Sequence, residues 1–92
     1  MAIRIFVTMK AKPGKGNELA KLRIPRHAVV RQDPGCEQFD CFQNVEDPDQ
    51  LMLVERWTDE ESLNAHYALN RPQIGVELRE EGRAKNERYT VE

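Results

Sequence analysis

Residues 33–67 read DPGCEQFDCFQNVEDPDQLMLVERWTDEESLNAHY. Asp33-Pro34-Gly35 is a turn, residues 36–45 form a strand, and Glu46-Asp47-Pro48-Asp49 is a second turn. A further strand over 50–57 ends on Trp57. Its apolar residues do not alternate: Leu51 and Leu53 point one way, Met52 and Val54 the other. A strand apolar on both faces is covered on both. It passes directly into a helix whose start, Thr58-Asp59-Glu60-Glu61, fits a capping box, with the Thr58 hydroxyl and Glu61 carboxylate satisfying free backbone donors. Leu63, His66 and Tyr67 share one stripe of that helix.

Upstream, Ile3, Ile5, Val7 and Met9 alternate with Arg4, Thr8 and Lys10, so residues 3–11 form a strand with one buried face, to which Phe6 adds apolar surface on the other side. Lys12-Pro13-Gly14 ends it. A helix follows over 15–32, with Leu19, Leu22, Val29 and Val30 close to one stripe. Pro25 removes a backbone donor from its middle and predicts a kink or two shorter helices. Downstream, Pro72 suits the first turn of another short helix, with Ile74 and Leu78 at i, i+4 and Gly82 as its C′ residue. Residues 83–91 form the last strand. The order is β-α-β-β-α-(α)-β. This predicts an α+β, ferredoxin-like βαββαβ domain over 1–92 with a four-stranded antiparallel sheet. Its two helices can cover one face; in so short a chain the second face is most simply covered by another subunit.

Composition narrows the function classes. Fourteen basic and sixteen acidic residues are interleaved, giving a net charge of -2. Neither a basic stripe nor an acidic tail stands out, which argues against nucleic acid and anionic membranes as partners. The longest apolar run, Leu51 to Val54, is far short of the about 20 residues a membrane span needs. The N-terminal residues read as a strand rather than a signal peptide. Cys36 and Cys41, five residues apart on one strand, would lie roughly 16 Å apart, too far to bridge. Free thiols fit a reducing cytoplasm. His27 and His66 have no metal-type spacing and no acidic cluster between them, so no metal site is expected.

Three groups of residues resemble the antibiotic biosynthesis monooxygenase family of dimeric α/β barrels. Lys12-Pro13-Gly14-Lys15 resembles its lead into the first helix, and Asp33-Pro34-Gly35-Cys36 its "EPGC" turn. Leu53-Val54-Glu55-Arg56-Trp57, with Asp59-Glu60-Glu61 and Leu63-Asn64-Ala65-His66, resembles its "ERW.DEEAL.AH" block. The resemblance implies a homodimer through sheet-to-sheet packing, with a pocket in each subunit between sheet and helices. It also implies an oxygenase that needs no flavin, haem or metal. In such enzymes O₂ is co-substrate and reacts with a small phenolic, quinol or anthrone-type aromatic. The chain departs from two branches of that superfamily. Anthrone oxygenases carry an Asn where Leu53 stands. Haem degraders carry an Asn near Val7 and a His beyond residue 70, and neither is present here.

Within that frame His66 is the candidate proton acceptor, because histidine exchanges protons near neutral pH. The alternative is a helix histidine bonded to backbone. Trp57 can wall a pocket against an aromatic ring, or serve as a structural plug. Tyr67 and Arg71 are candidate substrate-binding residues, Tyr67 as a hydrogen-bond donor and Arg71 as a stabiliser of developing negative charge. Amphipathic packing and a solvated charge are the competing readings. Cys36 and Cys41 have no cationic neighbour in sequence and read as packing residues. A non-catalytic dimeric ligand-binding or stress-related module, and a proton-transfer enzyme such as a lactone isomerase, are the alternatives the same fold can host.

Overall fold

The structure, a computed structural model, describes residues 1–80 and 85–92. The elements are β1 (Ala2–Lys10), α1 (Gly16–Val30), β2 (Cys36–Gln43), β3 (Gln50–Trp57), α2 (Glu60–Ala68), a 3-10 turn at Val76–Leu78 and β4 (Lys85–Val91). All neighbours in the sheet are antiparallel, in the order β2-β3-β1-β4. This is the expected ferredoxin-like α+β topology. Among the described residues no helix is long and apolar enough to cross a membrane.

Register decides which residues face the helices. Ile3 is paired with Trp57, Val7 with Leu53 and Met9 with Leu51, and these side chains form the covered face. Val30 of α1 and Leu63 of α2 pack against Ile3, Ile5, Phe39 and Trp57; Leu19 of α1 packs against Met9, Leu51 and Leu53. On the opposite face Met52 and Phe42, paired across β3 and β2, stay exposed, as does Tyr89. The two-sided apolarity of β3 is therefore real, and only one of its sides is covered within the chain.

Several local expectations are corrected. α1 is one continuous fifteen-residue helix that runs through Pro25, which lies on its exposed side. Its inward stripe is Gly16, Leu19, Arg23, His27 and Val30, while Leu22 and Val29 face outward. Helical spacing holds, but two polar side chains occupy the buried positions. α2 is capped by Asp59 rather than Thr58, the Asp59 carboxylate accepting from the Ser62 N–H at 2.8 Å. Thr58 is drawn away to the carbonyl of Gly35, to which its N–H and hydroxyl donate at 2.8 and 3.2 Å. The helix expected after Pro72 is reduced to the turn at Val76–Leu78. Gly82 and the first two residues of the expected last strand lie outside the described residues.

A β-bulge between Cys36 and Gln38 also resets parity in β2, so Cys36 and Cys41 both face the helices although their numbering is odd by even. Both are free, and burial raises both thiols, Cys36 to about 11.

Two close approaches join the turns to the helices. The Asp49 carboxylate accepts from the N–H groups of Gly14 and Gly16 at 3.0 and 2.9 Å, capping α1 from the β2–β3 turn. Gly35, at φ +81°, lies against α2 so closely that a Cβ there would sit 2.1 Å from the Ser62 Oγ and 2.3 Å from its Cβ. Replacing Gly35 by Ala would push the 33–35 turn off α2. Chemical denaturation of Gly35→Ala is expected to show a loss of about 1–3 kcal/mol; an unchanged midpoint would refute the close approach.

Candidate functional site

The turn that Gly35 seats against α2 places Asp33 beside an arginine and a histidine distant in sequence. Arg71 grips the Asp33 carboxylate with both prongs, Nη2 donating to Oδ1 and Nη1 to Oδ2, each at 2.7 Å. His66 Nδ1 lies 2.9 Å from the same Oδ2. Arg71 reaches this position because Asn70, at φ 47°, turns the chain back after α2. The Arg71 guanidinium is the main reason that the Asp33 carboxyl falls to about 2; His66 adds to this, and burial opposes both.

Asp33 determines the tautomer of His66. A carboxylate oxygen 2.9 Å from a bare ring nitrogen would set two acceptors face to face, so Nδ1 carries the hydrogen and donates it to Oδ2. In the neutral ring the lone pair then sits on Nε2, which has no hydrogen-bond partner among the described residues. His66 is sandwiched by rings: Trp57 at 4.6 Å between centroids with 32° between planes, Tyr67 at 5.6 Å and Phe39 at 6.0 Å. Packing and the hydrogen bond to Asp33 together leave the imidazole one orientation.

His66, Tyr67 and Arg71 border a cavity of ≈300 Å³ whose apolar wall includes Val7, Phe39 and Leu53. Trp57 is placed differently. It has no exposed surface and lies behind His66, not on the cavity wall. Its indole N–H donates to Glu55 Oε1 at 3.0 Å. Glu55 is itself buried, and that burial raises its pKa, partly offset by the Trp57 hydrogen bond. His27, the other imidazole, is buried on α1, with Nδ1 3.1 Å from the Phe39 carbonyl and Nε2 3.0 Å from Arg23 Nε. The carbonyl can only accept and the guanidinium can only donate, so His27 is neutral; burial, above all, lowers its pKa.

Three participants were not singled out by sequence reasoning. Asp33 read as a turn residue, and nothing local distinguishes it from other turn aspartates. Arg23 and Glu55 did leave a signal: each is a charged residue at a position whose helical or two-residue spacing belongs to an apolar face. Among the described residues no group of three His, Cys, Asp or Glu side chains could hold a metal ion.

Comparison with known proteins agrees with this architecture. A conserved protein from Methanosarcina mazei is 24% identical over 100% of this chain and 94% of its own, with a TM-score of 0.79. A Pseudomonas aeruginosa protein is 24% identical over 98% and 93%, with a TM-score of 0.78. A solved antibiotic biosynthesis monooxygenase is 18% identical over 97% of each chain, with a TM-score of 0.79. Identities this low establish a shared fold. No curated protein matches the sequence. The family model for antibiotic biosynthesis monooxygenases matches residues 2–71, a span that takes in Asp33, His66 and Arg71. The chain is thus a member of the antibiotic biosynthesis monooxygenase family.

Proposed function

We propose that the protein is a cofactor-independent monooxygenase or quinol oxidase acting with O₂ on a small phenolic, quinol or anthrone-type aromatic. The observation that carries this reading is the Asp33–His66 pair at the cavity wall, with Nδ1–H spent on the carboxylate and Nε2 left as a lone pair. A phenolic O–H presented to Nε2 gives up its proton, and Asp33 stabilises the imidazolium that forms. The electron-rich anion passes an electron to O₂. In a monooxygenase the superoxide recombines at a ring carbon bearing hydrogen, and the hydroperoxide, reprotonated from His66, loses water to leave a carbonyl. In a quinol oxidase a second electron and two protons pass to the superoxide, and hydrogen peroxide is released. Val7, Phe39 and Leu53 keep water from the reacting ring. Tyr67 stands ready to donate a hydrogen bond to a substrate oxygen, and Arg71, occupied by Asp33, keeps that carboxylate ionised.

A second reading, ligand binding without turnover, draws support from Val7 and Leu53, apolar wall residues that leave few polar groups converging on a substrate. In either reading the working unit is a homodimer. Met52 is 39% exposed and Phe42 55% exposed on the bare sheet face, a surface that sheet-to-sheet packing would cover.

Oxygen uptake across hydroquinones and anthrones, without added cofactor, is the first test. Uptake above the uncatalysed rate is expected, falling about 10²–10⁴-fold in His66→Ala. Asp33→Asn, which no longer dictates the tautomer, is expected to lose activity on the order of tenfold or more. Unchanged uptake in His66→Ala would remove the assigned base. A protein that retains an aromatic ligand and never converts it would favour the second reading.

The fold lowers the Asp33 pKa from 3.8 to about 2, so the Asp33 ion pairs contribute stability that is complete above the unfolded value and lost as pH falls through the folded one. The stability gap between the wild type and Asp33→Asn should therefore narrow as pH falls from 3.8 to about 2. A gap that stays constant over that range would disprove the shift. Light scattering is expected to find a dimer that Met52→Glu converts to monomer; a monomeric wild type would contradict the covered-face reading.

A further inference from the structure

The cavity beside His66 is walled by arginines, and among the described residues no carboxylate lines it. Arg23, Arg26, Arg71 and Arg79 all border it. Arg71 is held on both prongs by Asp33. For the other three, no carboxylate among the described residues lies within ion-pair distance. The chain as a whole carries a net charge of -2, so this wall reverses the sign of the molecule locally.

Arg23 is the most informative of the group. It is 9% exposed, on the inward stripe of α1. Its only hydrogen bond among the described residues is from Nε to His27 Nε2 at 3.0 Å, and that partner is neutral. Neither terminal amino group of the fork has a hydrogen-bond partner among the described residues, and the buried carboxylate that acts on its charge, Glu55, lies beyond ion-pair distance. Among the described residues Arg79 likewise donates to neutral atoms, Gln73 Oε1 at 2.9 Å and Met9 Sδ at 3.9 Å. Burying a cation without compensation is costly. A planar guanidinium fork is geometrically matched to carboxylate oxygens. Arg23 also borders a second cavity of ≈290 Å³ between α1 and β2, with Lys21 and the Asp40-paired Arg31; the first cavity gathers more cations without an ion pair among the described residues, Arg23, Arg26 and Arg79 against Arg23 and Lys21.

The geometry points to a small aromatic acid as the ligand of this cavity, its ring against Phe39 and Leu53 and its carboxylate taken by Arg23, Arg26 and Arg79. This deepens the functional reading above and rests on it for the choice of cavity and for the aromatic ring. A volume of ≈300 Å³ suits one or two fused rings bearing one such group.

Isothermal titration calorimetry with naphthalene-2-carboxylate and its neutral isostere naphthalene-2-carboxamide tests it without turnover. The carboxylate is expected to bind about tenfold tighter or more, with a preference that shrinks as salt is raised. Arg23→Met and Arg79→Gln should each reduce that preference while leaving the carboxamide affinity within about twofold. Arg79 is only partly buried, so Arg79→Gln and the wild-type pair of ligands decide the matter even where Arg23→Met fails to fold. Equal affinities for the two probes, or binding of neither, overturns the proposal. Oxygen uptake on neutral aromatics with no preference for acids would refute it and leave the oxygenase reading standing; acid binding without oxygen uptake would do the reverse.

Discussion

Asp33 holds two side chains that arrive from the C-terminal end of α2, the His66 imidazole from its last turn and the Arg71 guanidinium from the segment just beyond it. These contacts span 33 and 38 residues of sequence, and they tie the α1–β2 turn to α2 and the segment just after it. The interaction orients the imidazole, leaves Nε2 unspent, and anchors the backbone that borders the cavity. It depends in turn on Gly35, whose missing Cβ lets the turn lie against Ser62. The site is therefore a consequence of how closely one turn can approach one helix.

The second constraint is the shortage of covering elements. Two helices lie on one face of a four-stranded sheet, and the remaining face keeps Met52, Phe42 and Tyr89 in the open. On the covered side the interior is not purely apolar. Arg23, His27 and Glu55 are buried among Leu19, Phe39 and Trp57. His27 is satisfied by a carbonyl and a guanidinium, and Glu55 by the Trp57 indole, so their burial is met by hydrogen bonds. Among the described residues the charge of Arg23 has no hydrogen-bonded or ion-paired anion. A small domain that tolerates a buried cation in this position has a cavity wall suited to negative charge, in contrast to the acidic balance of the whole chain.

Much of the architecture is legible in the sequence. Strand β3 was read with its observed bounds because its apolar run ends sharply at Trp57 and a helix-capping cluster follows at once. The alternation of Ile3, Ile5, Val7 and Met9 identified β1 and its buried face. His66, Tyr67 and Arg71 were singled out and do come together at one cavity. Trp57 was placed one layer too far forward, because a strand end predicts proximity to a pocket but not which ring stands in front. The cap of α2 moved by one residue because the Thr58 hydroxyl was taken by the Gly35 carbonyl, a partner 23 residues away.

The sequence by itself determined the order of elements, the faces of β1 and β3 and the family, since these follow from local periodicity and turn chemistry acting over a few residues. Only the tertiary structure decided that α1 turns Arg23 and His27 inward, that a bulge brings both cysteines to the same face, and that Asp33 is the partner of His66 and Arg71. Those outcomes depend on packing and charge pairing between segments far apart in the chain, where spacing along the sequence carries no distance information.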